Sequence, residues 1–191
     1  MATRAGLDLK RVVQAAADLA DTTGLYEVTL ATLAAQLGVR TPTLYHYVAG
    51  LPGLRRELAL LACRELAQRM GKAVMGKAGD EAVLALAYAY RAFVHEHPGL
   101  YSATVQAADP DDAELVAAQT EVVEITMRTL SAYSMTYEES VHVVRMLRSL
   151  VHGFTTLESS GGFGIPVDRD ETFQRLLHVF LRGLAAERKT L

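Results

Sequence analysis

The chain has 191 residues, a net charge of −3, half of its residues hydrophobic and one cysteine. That suits one compact domain, or a small head on a larger body with a core of its own. No charge-free apolar run reaches membrane-span length, MATRAGLDLKR at the N-terminus has no signal-peptide core, and Cys63 has no internal disulfide partner, so a cytoplasmic location is expected. The charge is uneven. Residues 1–56 hold six Lys/Arg against four acids, or +2, and the rest hold thirteen against eighteen, or −5. A mildly basic start suits a phosphate contact, while an acidic remainder is repelled by the same polyanion.

In chain order, residues 1–6 read as an arm that offers Arg4 to a phosphate or a minor groove. Asp8 to Thr22 is predicted helical, with Leu9, Val12, Val13, Ala16, Leu19 and Ala20 on one face. Thr29 is placed to cap a helix over Leu30–Leu37, and Gly38 supplies its left-handed stop. After a turn, Thr41-Pro42-Thr43 opens a second short helix, with Thr41 as cap and Pro42 in the first turn. Leu44 and Val48 face inward, leaving Thr43, Tyr45, His46 and Tyr47 to point elsewhere. Two short helices joined by a glycine-containing turn make a helix-turn-helix, whose second helix suits a major groove.

The run Leu33-Ala34-x-x-Leu37-Gly38-Val39-x-x-Pro42-Thr43-Leu44-Tyr45-x-x-Val48 resembles the DNA-binding domain of TetR-family transcriptional repressors, particularly the tetracycline-repressor branch. Val13 to Gly24 fits that family's first helix. The resemblance implies an all-α fold of about nine helices, divided into a DNA-binding head, residues 1–50, and an effector-binding and dimerisation body, residues 51–191. Within the head, Arg40 is the expected guanine or phosphate contact, and Thr41, Pro42 and Thr43 the expected base contacts. Thr29, Tyr45, His46 and Tyr47 are expected to hold phosphates and set register. One position departs from the family pattern. Leu51 stands where a phosphate-binding lysine is common, with Arg55 one turn on as its substitute, and Gly50 replaces the usual polar cap.

A long helix is expected from about Leu51 towards Met75, ended by Gly76 and Gly79; shared between head and body, it is a potential lever on the head. A helix from Asp80 then ends at His97-Pro98-Gly99. A short helical piece at Leu100–Ala108 comes next, and a helix opened by Asp109-Pro110-Asp111-Asp112 runs to about Tyr133. The acidic cluster reads as capping rather than as a metal site. Thr136 with Glu139 makes a capping box for a helix to about Leu157. A glycine-rich connection leads to the last helix, Asp168–Glu187.

The last two helices carry interior glycines, Gly153 and Gly183, and an apolar face wider than one core stripe. A homodimer through these helices is therefore expected, with Gly153, Phe173, Leu177, Phe180, Gly183 and Leu184 at its interface. His142, Arg145, Ser149, His152 and Thr156 form a polar line that faces solvent, a ligand cavity or the dimer partner. The segment Arg145–Phe173 and the run His97–Tyr101 resemble a TetR subfamily with a His-Gly pair and a Gly-Gly-Phe loop. Phe93, Tyr101, Met127, Met146 and Phe163 are the candidate lining of a small-molecule effector site, with His97 or His152 orienting.

The function expected is a repressor that binds an operator in duplex DNA as a dimer and is released by an apolar or amphipathic effector. No catalytic constellation, metal-ligand spacing, cofactor motif or membrane partner is read from the chain. The alternatives are a protein-binding adaptor that uses the head for a partner helix, and a cofactor-binding helical bundle with histidines as ligands, against which His95 and His97, two apart, point to different faces of a helix.

Overall fold

Asp8 accepts a hydrogen bond from the Arg11 amide and so opens α1, Leu9–Thr23, which closes at Gly24. This computed structural model describes residues 6–187, which form nine α-helices, two single 3-10 turns and no strand. The helices after α1 are α2 (Leu30–Leu37), α3 (Thr41–Leu44), α4 (Gly50–Val74), α5 (Gly79–Glu96), α6 (Pro98–Ser102), α7 (Ala113–Thr129), α8 (Tyr137–Ser159) and α9 (Arg169–Glu187). The cap expected from Thr29 and the capping box expected of Thr136 with Glu139 are both present, and Thr32 turns the first into a box as well. Thr29 accepts from the Thr32 amide while the Thr32 hydroxyl accepts from the Thr29 amide, and Thr136 and Glu139 exchange the same pair of bonds. Gly38 ends α2 in the left-handed conformation, at φ 66°.

Three boundaries differ from expectation. Thr41 is the first residue of α3 and not its cap; Arg40 takes that position, without a side-chain bond. The short helix before residue 108 begins at Pro98, where the Leu100 amide is capped by Asp21 of α1, and ends at Ser102. The helix after the acidic cluster starts at Ala113, and its cap is Asp112, which accepts from the Leu115 amide. Asp109 and Pro110 make the preceding turn, closed by the Asp112 amide on the Asp109 carbonyl.

The chain divides into two compact units. The first comprises the described residues up to Ala67 together with Glu96–Val122. In it α1 packs on α2 and α6, and α2 packs on α3. Val12, Ala16, Ala20, Leu33 and Leu44 are fully enclosed. The α1–α6 seam is drawn close by small residues: a Cβ on Gly99 would stand 1.9 Å from the Ala20 carbonyl oxygen, so no other residue fits. Asp21, on the last turn of α1, accepts from the Leu100 amide at 2.8 Å and meets His97 Nδ1 at 2.8 Å, so α1 supplies the cap of α6. Leu60, Cys63 and Ala118 form a seam between α4 and α7 within this unit, with Leu115 and Val122 packed against it.

The second unit comprises Gln68–His95 and the described residues from Val123. Phe154 lies 5.0 Å from both Phe163 and Phe173, and Tyr88 meets Phe173 edge-on at 5.4 Å. Such offset and edge-to-face pairs suit the quadrupoles of the rings. Tyr133 donates to Asp80 in the first turn of α5.

Candidate DNA-contacting face and cavities

The rod expected to read DNA is short. α3 is a single helical turn, extended by the Tyr47 and Val48 amides on the Leu44 carbonyl. Leu44 and Val48 are buried and fasten it from within, as their spacing predicts. Arg40, Pro42, Tyr45 and His46 are exposed on its outer side, and Thr41 and Thr43 are half-buried at its edge. Tyr45 is 62% exposed, a large apolar ring held in water with a hydroxyl at its tip. Thr29 is exposed, but its hydroxyl oxygen already serves as the cap of α2. Tyr47, expected on a phosphate, donates its hydroxyl to the Leu7 carbonyl at 2.9 Å and ties the start of the chain to this rod. Arg4 lies outside the described residues.

The two neighbouring arginines at the start of α4 part company. Arg56 donates through Nε and Nη2 to Asp112 and through Nη2 to Glu114, while Arg64 also reaches Glu114. Bonds to these acids raise the Arg56 pKa, and those to Arg56 lower the Asp112 and Glu114 pKa values. Arg55 is exposed and lies over the Tyr26 ring, 5.9 Å from its centroid, with no part in the acidic cluster that holds Arg56. Tyr26 went unnoticed in the sequence, where it falls in a short turn without periodicity. Gly50 has φ 68°, a conformation that strains any side chain, which accounts for glycine where a polar cap is common.

The candidate effector residues are dispersed. His97 and Tyr101 belong to the first unit, His97 engaged by Asp21 and Tyr101 buried. In the second unit Phe93 is enclosed beneath the Arg69 guanidinium, and Phe163 is half-buried against Phe154. Met127 is half-buried, and Met146 is 51% exposed. His152 is half-buried; desolvation, then the Arg148 charge, lowers its pKa. On the polar line of α8, His142, Arg145, Ser149 and Thr156 are exposed. None of the seven effector candidates lines either of the two cavities described next.

Both cavities lie in the second unit. The larger, about 710 Å³, opens between α5, the end of α8 and the start of α9. Its charged floor is Arg91, which donates through Nε and Nη2 to the two oxygens of Glu158 at 2.9 and 2.6 Å. Glu158 also meets His95 Nε2 at 2.7 Å, and Arg91 Nη2 pairs with Asp170 at 2.7 Å. The Glu158 hydrogen bonds raise the Arg91 pKa, and those from Arg91 lower the Glu158 pKa in return. The smaller cavity, about 320 Å³, lies among the end of α4, the start of α5 and the end of α7, with Lys77 and Arg128 at its margin. The Arg91–Glu158 pair had one signal in the sequence. Arg91 shares a helical face with Ala87 and Val94, where an arginine demands a buried partner.

Of the residues expected at a dimer interface, Phe173 and Leu177 are fully enclosed by their own protomer, and Leu184 is buried. Phe180 and Gly153 are half-buried and Gly183 is exposed. Added Cβ atoms at Gly153 and Gly183 would meet nothing within 4 Å, so within the protomer neither glycine serves a close helix approach.

An all-α chain that presents a helix-turn-helix of this form on one unit, with a helical second unit, has the construction of a helix-turn-helix transcriptional regulator. Residues 83–180 match the family model described as Tetracyclin repressor-like, C-terminal domain. The HTH-type transcriptional regulator YobS of Bacillus subtilis (strain 168), itself named as uncharacterized, is 35% identical over 191 residues and is covered in full, as is this chain. A Rhodococcus sp. RHA1 protein of unknown function superposes with a TM-score of 0.79 at 22% identity, over 97% of this chain and 100% of that one. BioQ, crystallised with its double-stranded DNA operator, superposes with a TM-score of 0.71 at 24% identity, over 95% of this chain and 99% of that one. The chain belongs to the TetR family of helix-turn-helix transcriptional regulators.

Proposed function

We propose that this chain is a cytoplasmic, homodimeric repressor that blocks a promoter by binding a palindromic DNA operator and leaves it when a small effector occupies the body. The observation that carries the DNA reading is the outer side of α3: Arg40, Pro42, Tyr45 and His46 are exposed together, above buried Leu44 and Val48. Arg40 takes a guanine edge or a phosphate, Pro42 and Thr43 contact bases or a thymine methyl, and Tyr45, His46 and Arg55 hold the backbone. Residues 1–50 act as the DNA-contacting part and residues 51–191 as the effector and dimerisation part. The dimer reading is supported by exposed Met146, Leu157 and Val179 on α8 and α9, beside glycines with open space above them. A two-fold pair sets two rods at about 34–36 Å, one turn of B-form DNA. No catalytic role is assigned to any residue.

Genomic fragments retained by the protein identify the operator, and fluorescence anisotropy on that duplex measures affinity against salt. Binding that weakens steeply with salt, and falls about tenfold or more in Arg40→Ala, is expected. A folded protein with no affinity for duplex DNA at low salt replaces this reading with the adaptor. Sedimentation equilibrium checks the dimer, and a monomer throughout the micromolar range sinks it.

A further inference from the structure

We propose that the larger cavity of the second unit is a carboxylate-binding site, in which Arg91 receives the acid group and Asp170 occupies its place until it arrives. The Arg91 side chain is only 10% exposed, and its guanidinium is fixed on three sides. It lies over the rings of Phe173 and Phe154, 4.8 and 5.5 Å from their centroids, and Glu158 takes its Nε–Nη2 edge. The remaining edge is Nη1 with the second Nη2 hydrogen, and Arg91 is among the residues that line the cavity. Nη1 has no hydrogen-bond partner among the described residues, and Nη2 meets only Asp170 there.

The acids around this edge are unequal. Glu158 is 4% exposed, and both of its oxygens are used by Arg91 and His95, so it is not open to a ligand cation. Asp168 spends Oδ1 on the Asp170 and Glu171 amides that begin α9. Asp170 is 82% exposed, so it leaves Arg91 for water at little cost. An incoming carboxylate gains what Asp170 lacks, a two-pronged bond to Nη1 and Nη2 in the planar fork that guanidinium groups offer. Tyr88, Ala92, Pro166 and Val167 supply apolar wall for a hydrocarbon body, and about 710 Å³ is ample for one. The ligand class is therefore a monocarboxylic acid with an apolar chain or ring.

That such an acid is also the effector rests on the repressor reading above, and the experiment separates the two. Calorimetric titration of the full-length protein with sodium octanoate is compared with octanol and octylamine. Octanoate is expected to bind at least about tenfold more tightly than either, since only it can displace Asp170 with a two-pronged bond to Nη1 and Nη2. Asp170→Ala, at an exposed position, removes the competitor and tightens octanoate severalfold. Arg91→Lys keeps a charge beside Glu158 but loses the fork, and weakens octanoate by about tenfold while circular dichroism shows the helices retained. No heat with octanoate, equal affinity for the three probes, or an Asp170→Ala variant that binds no better overturns the site. Octanoate that binds with this pattern yet leaves operator occupancy unchanged upholds the site and removes only its role as effector.

Discussion

Asp21 in the first unit and Glu158 in the second are both carboxylates held against a histidine, at 2.8 and 2.7 Å, in opposite surroundings. Asp21 sits beside Ala20 and Gly99, where side-chain volume has been reduced to nothing and the partner is a backbone amide. Glu158 sits under an arginine that lies over two phenyl rings. The first arrangement is governed by sterics, because backbones in contact cannot yield. The second is governed by charge, because a desolvated guanidinium needs its counter-ion. The first leaves no space, and the second leaves a cavity with a charged floor.

Adding volume to the first seam is the strongest way to break this contrast. Gly99→Val places atoms inside the Ala20 backbone, and a loss of more than about 4 kcal/mol in urea unfolding is expected, or no folded protein. Glu158→Ala attacks the second arrangement by leaving Arg91 buried with only exposed Asp170 beside it. A loss of about 3 kcal/mol is expected, the lower end for breaking a buried pair, and an unchanged midpoint contradicts the electrostatic account. Asp21→Ala removes the cap of α6 while keeping its packing, so the expected loss is about 1–2 kcal/mol.

The smallest effect is a pH dependence at His152. Burial and Arg148 lower its folded-state pKa, so the fold favours the neutral ring. Its contribution is complete above the ordinary value of 6.5 and is lost as pH falls through 6.5 towards the folded value. Unfolding midpoints of the wild type should therefore decline over that interval more steeply than those of His152→Gln. Parallel curves show that the ring does not carry the effect.

The helix-turn-helix was legible because its signals are local. Thr29 as the cap of α2, Gly38 at its end, and Leu44 with Val48 all act within one or two turns, so their spacing states their roles. Tyr47, expected on a phosphate, has a contact that local spacing does not carry. Its hydroxyl partner, Leu7, is 40 residues away, and nothing near Tyr47 announces it. Arg55 and Arg56 are adjacent in sequence, yet only packing of Asp112 and Glu114 against one of them separates a structural arginine from an available one.

The amino-acid order by itself determined the helices and the caps at Thr29 and Thr136, since each depends on hydrogen bonds and apolar periodicity over three or four residues. Tertiary structure alone decided which polar groups are spent and which remain available. Arg91 and Glu158 stand 67 residues apart, and His97 and Asp21 stand 76 apart. The free energy of such pairs depends on the dielectric and geometry that packing creates around them, quantities that linear spacing does not carry.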